Sequence, residues 1–333
     1  MIGRTIARSG EIIIITVMFL ATVPIFAQQT GITIKEWEVP APNSAPHDIV
    51  VDERNGIVWF TEINANKIGK FDPMTEQFQE FDIPTPSSRP HGLVVDGNGS
   101  VWFTEMSGSR LGRLYPETGQ VDEFPTPTPN SGPHTPFIGN GVIWFTEIQA
   151  SKIGRLNLTT GRIEEFPTPT QGSSPYGMTV DPEGNAWYAA LTGHRLGKVD
   201  AKTGEITEYP TPTGESGTRR VAIDSTGKLW FTEYNAAKIG SFDPKTNEFN
   251  EYETTSPASG PYAIWVDNFD NIWFSMTNAF KVGKLDQSTN TIQEYDLPTP
   301  GTIIRFIYAD NDGNIWFPNS NNNKIGVIMQ STQ

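Results

Sequence analysis

The stretch Pro90-His-Gly-Leu-Val-Val-Asp-Gly-Asn-Gly-Ser-Val-Trp-Phe-Thr-Glu105 decides the fold. A half-buried alternating run reaches Asp96, a Gly97-Asn98-Gly99 turn reverses the chain, and a second alternating run follows from Val101 to Glu105. That is the pattern of a tight β-hairpin. Arg110-Leu-Gly-Arg-Leu114 then reads as a third strand and Gln120-Val-Asp-Glu-Phe124 as a fourth. The Pro125-Thr126-Pro127 that follows ends the pairing, because proline has no N–H to donate and a fixed φ.

Working outward, the same unit recurs along the chain. Trp59, Trp102, Trp144, Trp187, Trp230, Trp273 and Trp316 are spaced by 43, 42, 43, 43, 43 and 43 residues. Eight positions after each comes a basic residue, a branched aliphatic and a glycine, from Lys67-Ile-Gly69 to Lys324-Ile-Gly326. Four short strands per unit at this period predict an all-β, seven-bladed β-propeller with four-stranded antiparallel blades. The last repeat stops after its third strand. Ile34-Lys-Glu-Trp-Glu-Val-Pro-Ala-Pro42 matches the fourth-strand pattern Phe78-Gln-Glu-Phe-Asp-Ile-Pro-Thr-Pro86, so the N-terminal strand is expected to complete the last blade and close the ring.

Composition agrees with many strands and turns. The 333 residues include 31 glycines, 26 prolines and no cysteine, which excludes disulfides, thiolate metal sites and cysteine nucleophiles. The net charge of −14 argues against nucleic acid or an anionic membrane as a partner. Arg4 and Arg8 precede an apolar run from Ile12 to Ala27, the arrangement of a secretory signal peptide. The expected organisation is thus a signal peptide over 1–27 and one propeller domain over 28–333, secreted or periplasmic, monomeric, with no membrane span in the mature chain. An uncleaved N-terminal anchor is the alternative reading of the first segment.

Candidate functional residues follow from register. His91 lies seven residues before Asn98 and Glu105 seven after, so an even hairpin sets them opposite each other at one end of the blade. Repeating that register predicts a polar ring at the channel mouth. The first-strand position holds His47, His91, His134, Tyr176, Arg219, Tyr262 and Arg305. The second-strand position holds Glu62, Glu105, Glu147, Ala190, Glu233, Met276 and Asn319. Three of the four histidines in the chain occupy one register position. Such residues can be caps copied by duplication, but gathered on one mouth they describe a ligand or metal site. Glu and His suit a divalent cation, His suits proton transfer, and Arg219, Arg220 and Arg305 offer planar donors to a carboxylate or ester carbonyl. His194 falls outside the ring and is expected to be solvated. Asp310-Asn-Asp-Gly-Asn314 reads as a turn, since it lacks the later bidentate Glu of a calcium loop.

The repeat, with Trp-Phe-Thr-Glu in its second strand, Pro-Thr-Pro linkers and Pro-His or Pro-Tyr openings, resembles the streptogramin B lyase (virginiamycin B lyase) family over about residues 32 to 330. The resemblance implies a seven-bladed propeller that opens a cyclic depsipeptide by Mg2+-assisted elimination at an ester. On Pro90-His91, Pro133-His134 and Pro175-Tyr176, it implies His134 as the base and His91 as a second acid/base or positioning group. Tyr176 would contact substrate, and Glu147, with Glu105 in the equivalent position, would ligate the metal. His47, Arg219, Tyr262 and Arg305 complete the expected substrate-binding rim. Two departures stand out: Gly132 replaces a family glutamate before the second Pro-His, and the histidine blades here are the second and third rather than the last two. Without rotating the ring, the family histidines fall on Tyr262 and Arg305. The expected ligand is a small molecule or cyclic peptide. A lactone hydrolase and a non-catalytic ligand-binding propeller are the alternatives.

Overall fold

A computed structural model describes residues 25–29 and 31–330. It contains seven antiparallel sheets, six of four strands and one of five, and no helix among the described residues. Blade two runs through Pro90–Val95, Val101–Glu105, Arg110–Tyr115 and Gln120–Pro125, within a residue or two of the strands read from sequence. The ring closes as expected: Ile32–Glu38 pairs antiparallel with Lys324–Gln330, from Ile32 opposite Gln330 to Glu38 opposite Lys324.

Two features of the seventh blade go beyond the sequence reading. Its innermost strand shrinks to Tyr308–Ala309, leaving the segment that carries Arg305 outside the sheet. Ile25–Gln29 adds a fifth strand beside Ile32–Glu38. Of the segment expected to be a signal peptide, residues 1–24 lie outside the described residues, and 25–27 begin this extra strand.

The core is a set of interfaces between neighbouring blades rather than one central mass. Between blades one and two, Val50, Trp59 and Ile68 pack on Leu93, Val101, Phe103 and Leu114. The repeated glycine is a steric necessity. A Cβ on Gly112 would lie 2.1 Å from the Phe103 ring, and one on Gly69 would lie 2.1 Å from that of Phe60. The aromatic residue of the second strand therefore packs flat onto bare backbone of the third.

Recurring polar contacts tie the blades together. Glu123 accepts from the backbone N–H of Thr85 in the preceding linker (3.0 Å) and from Arg110 of its own blade (2.9 Å). The same latch recurs with Glu165, Thr128 and Lys152 and with Glu251, Thr213 and Lys238. Asp96, Asp181, Asp224, Asp267 and Asp310 each accept from the indole N–H of their blade's tryptophan. Asp310 thus closes a turn, as the sequence suggested. In blade one Arg54 takes Asp52 instead, and blade three has no aspartate there, so the indole N–H groups of Trp59 and Trp144 are buried without a partner.

Candidate active site

Local backbone geometry decides where the ring residues point. In blades one to six the first two strands slip by one residue just after the strand opens: Pro90 lies opposite Glu105, yet Leu93 lies opposite Phe103. An even register through Leu93 would have placed His91 opposite Glu105. The bulge accommodates the extra residue and turns His91 toward the axis.

A hydroxyl in the second strand bridges the bulge in blades one, two, three, five and six, from threonine in all but the last, where it is Ser275. Thr104 Oγ1 accepts from the Gly92 N–H (3.0 Å) and donates to the His134 carbonyl of the next blade (2.8 Å). Thr61 reaches the His91 carbonyl (2.8 Å), Thr146 that of Tyr176 (2.7 Å) and Thr232 that of Tyr262 (3.0 Å). In these four blades one hydroxyl sets the position of the next blade's ring residue, while Ser275 of blade six reaches the Ile304 carbonyl beside Arg305. Ala189 breaks the series between blades four and five, and Pro318 breaks it between seven and one.

The result is a continuous arc of rings around the channel. Ring centroids are 3.9 Å apart for His47 and His91, 3.6 Å for His91 and His134, and 4.0 Å for His134 and Tyr176. The hydroxyls of Tyr176 and Tyr262 are hydrogen-bonded across the channel. With Arg89 and Arg305 these residues line a cavity of about 530 Å³. Arg219 lies beside it, its guanidinium 4.0 Å from the Tyr234 ring centre and 4.6 Å from that of Tyr262.

Beneath the imidazoles lies a polar floor; of its residues the sequence pointed only to Arg220, as a donor to ligand oxygens rather than as a bridge. Arg220, buried in blade five, reaches across the axis to Thr135 Oγ1 of blade three (3.0 Å) and Asp48 Oδ1 of blade one (3.3 Å). His47 Nδ1 is 2.7 Å from Asp48 Oδ1 and His134 Nδ1 is 2.9 Å from Thr135 Oγ1, while His91 Nδ1 has no partner. The available signal was compositional. The residue after each ring position is Asp48, Gly92, Thr135, Gly177, Arg220, Ala263 and Phe306, so one acid and one base share equivalent positions. Below this floor a separate apolar cavity of about 340 Å³, lined by Phe137, Trp265, Phe306 and Tyr308, opens on the opposite face.

Electrostatics follow from burial. All three imidazoles are held well below the ordinary histidine range, first by desolvation and then by neighbouring cations and imidazoles: Arg220 foremost for His47, His47 for His91, and His91 for His134. They are neutral at neutral pH. Burial raises Asp48, an effect that the Arg220 charge opposes.

The expected glutamates do not join the histidines. Glu62, Glu105, Glu147 and Glu233 are buried at the strand ends but none lines the cavity. Glu105 sits behind its strand by Ser88 and Gly108, close to Glu123 and Arg110, and Glu147 sits by Ser131, Glu165 and Lys152. The cause is the one-residue slip that separates them from the imidazoles. Burial raises Glu105 to about 8 and Glu147 to about 7. Carboxyls in separate blades and away from the cavity do not converge on one Mg2+, which takes several oxygen ligands at once. The ligand atoms of His47, Asp48 and His91 do lie within 4.8 Å of one another, but the Arg220 guanidinium occupies Asp48. His194 is half-buried rather than solvated, its Nδ1 accepting from the Gly217 N–H (3.2 Å).

A closed ring of seven antiparallel blades, with imidazoles, phenols and guanidiniums converging on one mouth, defines a seven-bladed β-propeller. Comparison with known proteins narrows the class. The sequence matches the virginiamycin B lyase family over residues 25–141, 137–247 and 201–333, and the chain belongs to that family. It is similar to a selenomethionine-substituted virginiamycin B lyase from Staphylococcus aureus, with a TM-score of 0.85 and 30% identity over 90% of this chain and 100% of that one. It is also similar to a streptogramin B lyase structure, with a TM-score of 0.84 and 34% identity over 91% and 99% of the two chains. A catalytically inactive histidine-to-alanine variant of the S. aureus enzyme with quinupristin matches at 0.84 and 29% identity, over 90% of this chain and 100% of that chain. Comparison with curated proteins gave no match.

Proposed function

We propose that the chain is a carbon–oxygen lyase, exported on its N-terminal segment, that opens an ester in a small or cyclic ligand held in the histidine-lined mouth. The observation that carries this reading is the stack of three buried, neutral imidazoles against a cavity large enough for part of such a ligand. A neutral imidazole is the form that accepts a proton. On the alcohol side of the ester, His134 takes the proton from the carbon that lies between a second carbonyl and the carbon bearing the ester oxygen; the electron pair left behind forms a carbon–carbon double bond between those two carbons, and the alkyl carbon–oxygen bond breaks to release the acyl half as a carboxylate. No water is consumed. Thr135 orients the His134 ring through Nδ1, and the Tyr176–Tyr262 hydroxyl pair offers an O–H to the carbonyl oxygen as charge builds there. Desolvation raises the Tyr176 phenol well above its ordinary range, so it serves as a donor rather than an anion. No step is routed through Mg2+, because the residues at the mouth do not offer its ligands.

The test is to incubate the protein with cyclic depsipeptides and lactones and follow product mass. Ring opening without mass change supports elimination, and gain of a water identifies a hydrolase instead. His134→Ala should lower kcat at least about 100-fold, the lower range for loss of a general base. A variant that keeps its rate removes His134 from the mechanism. Absence of turnover with every ester, alongside ligand-induced stabilisation, identifies a binding protein.

A further inference from the structure

We infer that the ligand of this mouth carries a negative charge, a carboxylate or an equivalent oxyanion, seated among Arg89, Arg219 and Arg305. This deepens the reading of the mouth as the ligand site and is independent of whether an ester is opened there. The chain as a whole is acidic, with a net charge of −14, yet no aspartate or glutamate lines this cavity. Arg89 and Arg305 line it and Arg219 borders it on the Tyr262 ring. Elsewhere on the molecule arginines are neutralised: Arg54, Arg110, Arg113, Arg155, Arg162, Arg195 and Arg220 all form ion pairs. These three form none among the described residues. Asp48, the carboxylate beneath the cavity, is already taken by Arg220.

Two further details agree. The Arg219 guanidinium rests against the perpendicular rings of Tyr234 and Tyr262, and its buried Nε has no hydrogen-bond partner. A guanidinium packed on aromatic rings, with no carboxylate partner, keeps N–H donors for a planar oxyanion. Arg89 has a φ of 55°, in the left-handed region, where the equivalent positions of blades three, five and six hold Gly132, Gly217 and Gly260. A long charged side chain thus stands at the rim where the backbone favours glycine. The imidazoles supply no compensating charge, since they are neutral. Unpaired cations beside a desolvated cavity are a field that an anion satisfies and a neutral ligand does not.

The experiment is calorimetric binding to the full chain, using N-acetyl-phenylalanine and N-acetyl-phenylalaninamide as probes that differ in charge, with inorganic phosphate as a compact anion. The acid should bind at least about tenfold more tightly than the amide, with the difference shrinking as salt is raised across the range where the Debye length falls from about 30 to about 10 Å. Arg305→Gln and Arg89→Gln should each weaken acid binding about tenfold with thermal stability intact, whereas Arg162→Gln should not. Binding of phosphate alone, with the same arginine dependence, upholds the charge requirement and selects a compact oxyanion. Equal binding of acid and amide, no binding of either anion, or indifference to both rim substitutions overturns the inference. Ring opening of neutral esters with no preference for anions would defeat it while sparing the lyase reading, and arginine-dependent anion binding without ring opening of any ester would do the reverse.

Discussion

His47, His91 and His134 show how much one side chain's environment alters its chemistry. Their types and register position were legible from sequence, because three of four histidines fell on one repeat position. Their protonation state was not, since it depends on desolvation and on Arg220, which sits 172 residues from the Asp48 it contacts. The consequence is a pH profile. If His134 is the base, kcat/KM should hold as pH falls through about 6.5 and decline only well below it, because the depressed imidazole stays unprotonated there. A limb at or above the ordinary histidine value would show that the working base is not this buried ring. The floor residues Asp48 and Thr135 were illegible for a similar reason, and Arg220, expected to face a ligand, is tied to them instead: the three meet only across the axis, where no strand register relates them.

At the scale of the element, the first-strand bulge accounts for the main departure from the sequence reading. Hairpin arithmetic around Asn98 counts an even ladder, and one inserted residue after Pro90 is enough to separate His91 from Glu105. Nothing in Pro-His-Gly announces that slip, which is held within the blade by Thr104 accepting from the Gly92 N–H. The displaced glutamate makes a prediction. Its folded-state pKa of about 8 lies above the unfolded value, so the folded chain binds more protons between the two and stability falls as pH rises through that window. Glu105→Gln should therefore match the parent's melting temperature near about pH 5 and exceed it near about pH 9, where every tenfold difference in proton affinity between folded and unfolded chains corresponds to about 1.4 kcal/mol. A variant that is less stable at high pH would instead mean that the side chain is an ionised, paired carboxylate. The third-strand glycine is a simpler case and was visible from the start. Its reason, a phenyl ring lying on the backbone, needed coordinates.

For the whole molecule, the count of seven and the closure were readable because tryptophan and glycine keep time along the chain, and because an orphan fourth strand stood at the beginning. The fifth strand at Ile25–Gln29 was not, since its residues read as the end of an export signal. Closure predicts cooperative unfolding. Removing the pairing of Ile32–Glu38 by deleting residues 1–38 should lower the melting temperature by more than about 10 °C and promote association through the bared edge of Lys324–Gln330. Unchanged melting by calorimetry, with the oligomeric state unaltered, would show that the ring does not depend on its clasp. The Arg220 bridge to Asp48 and Thr135 has a different implication at this scale. It turns a would-be tunnel into a cul-de-sac. A molecule entering at the arginine rim would have to leave by the same opening, and the apolar hollow on the far side is a separate compartment.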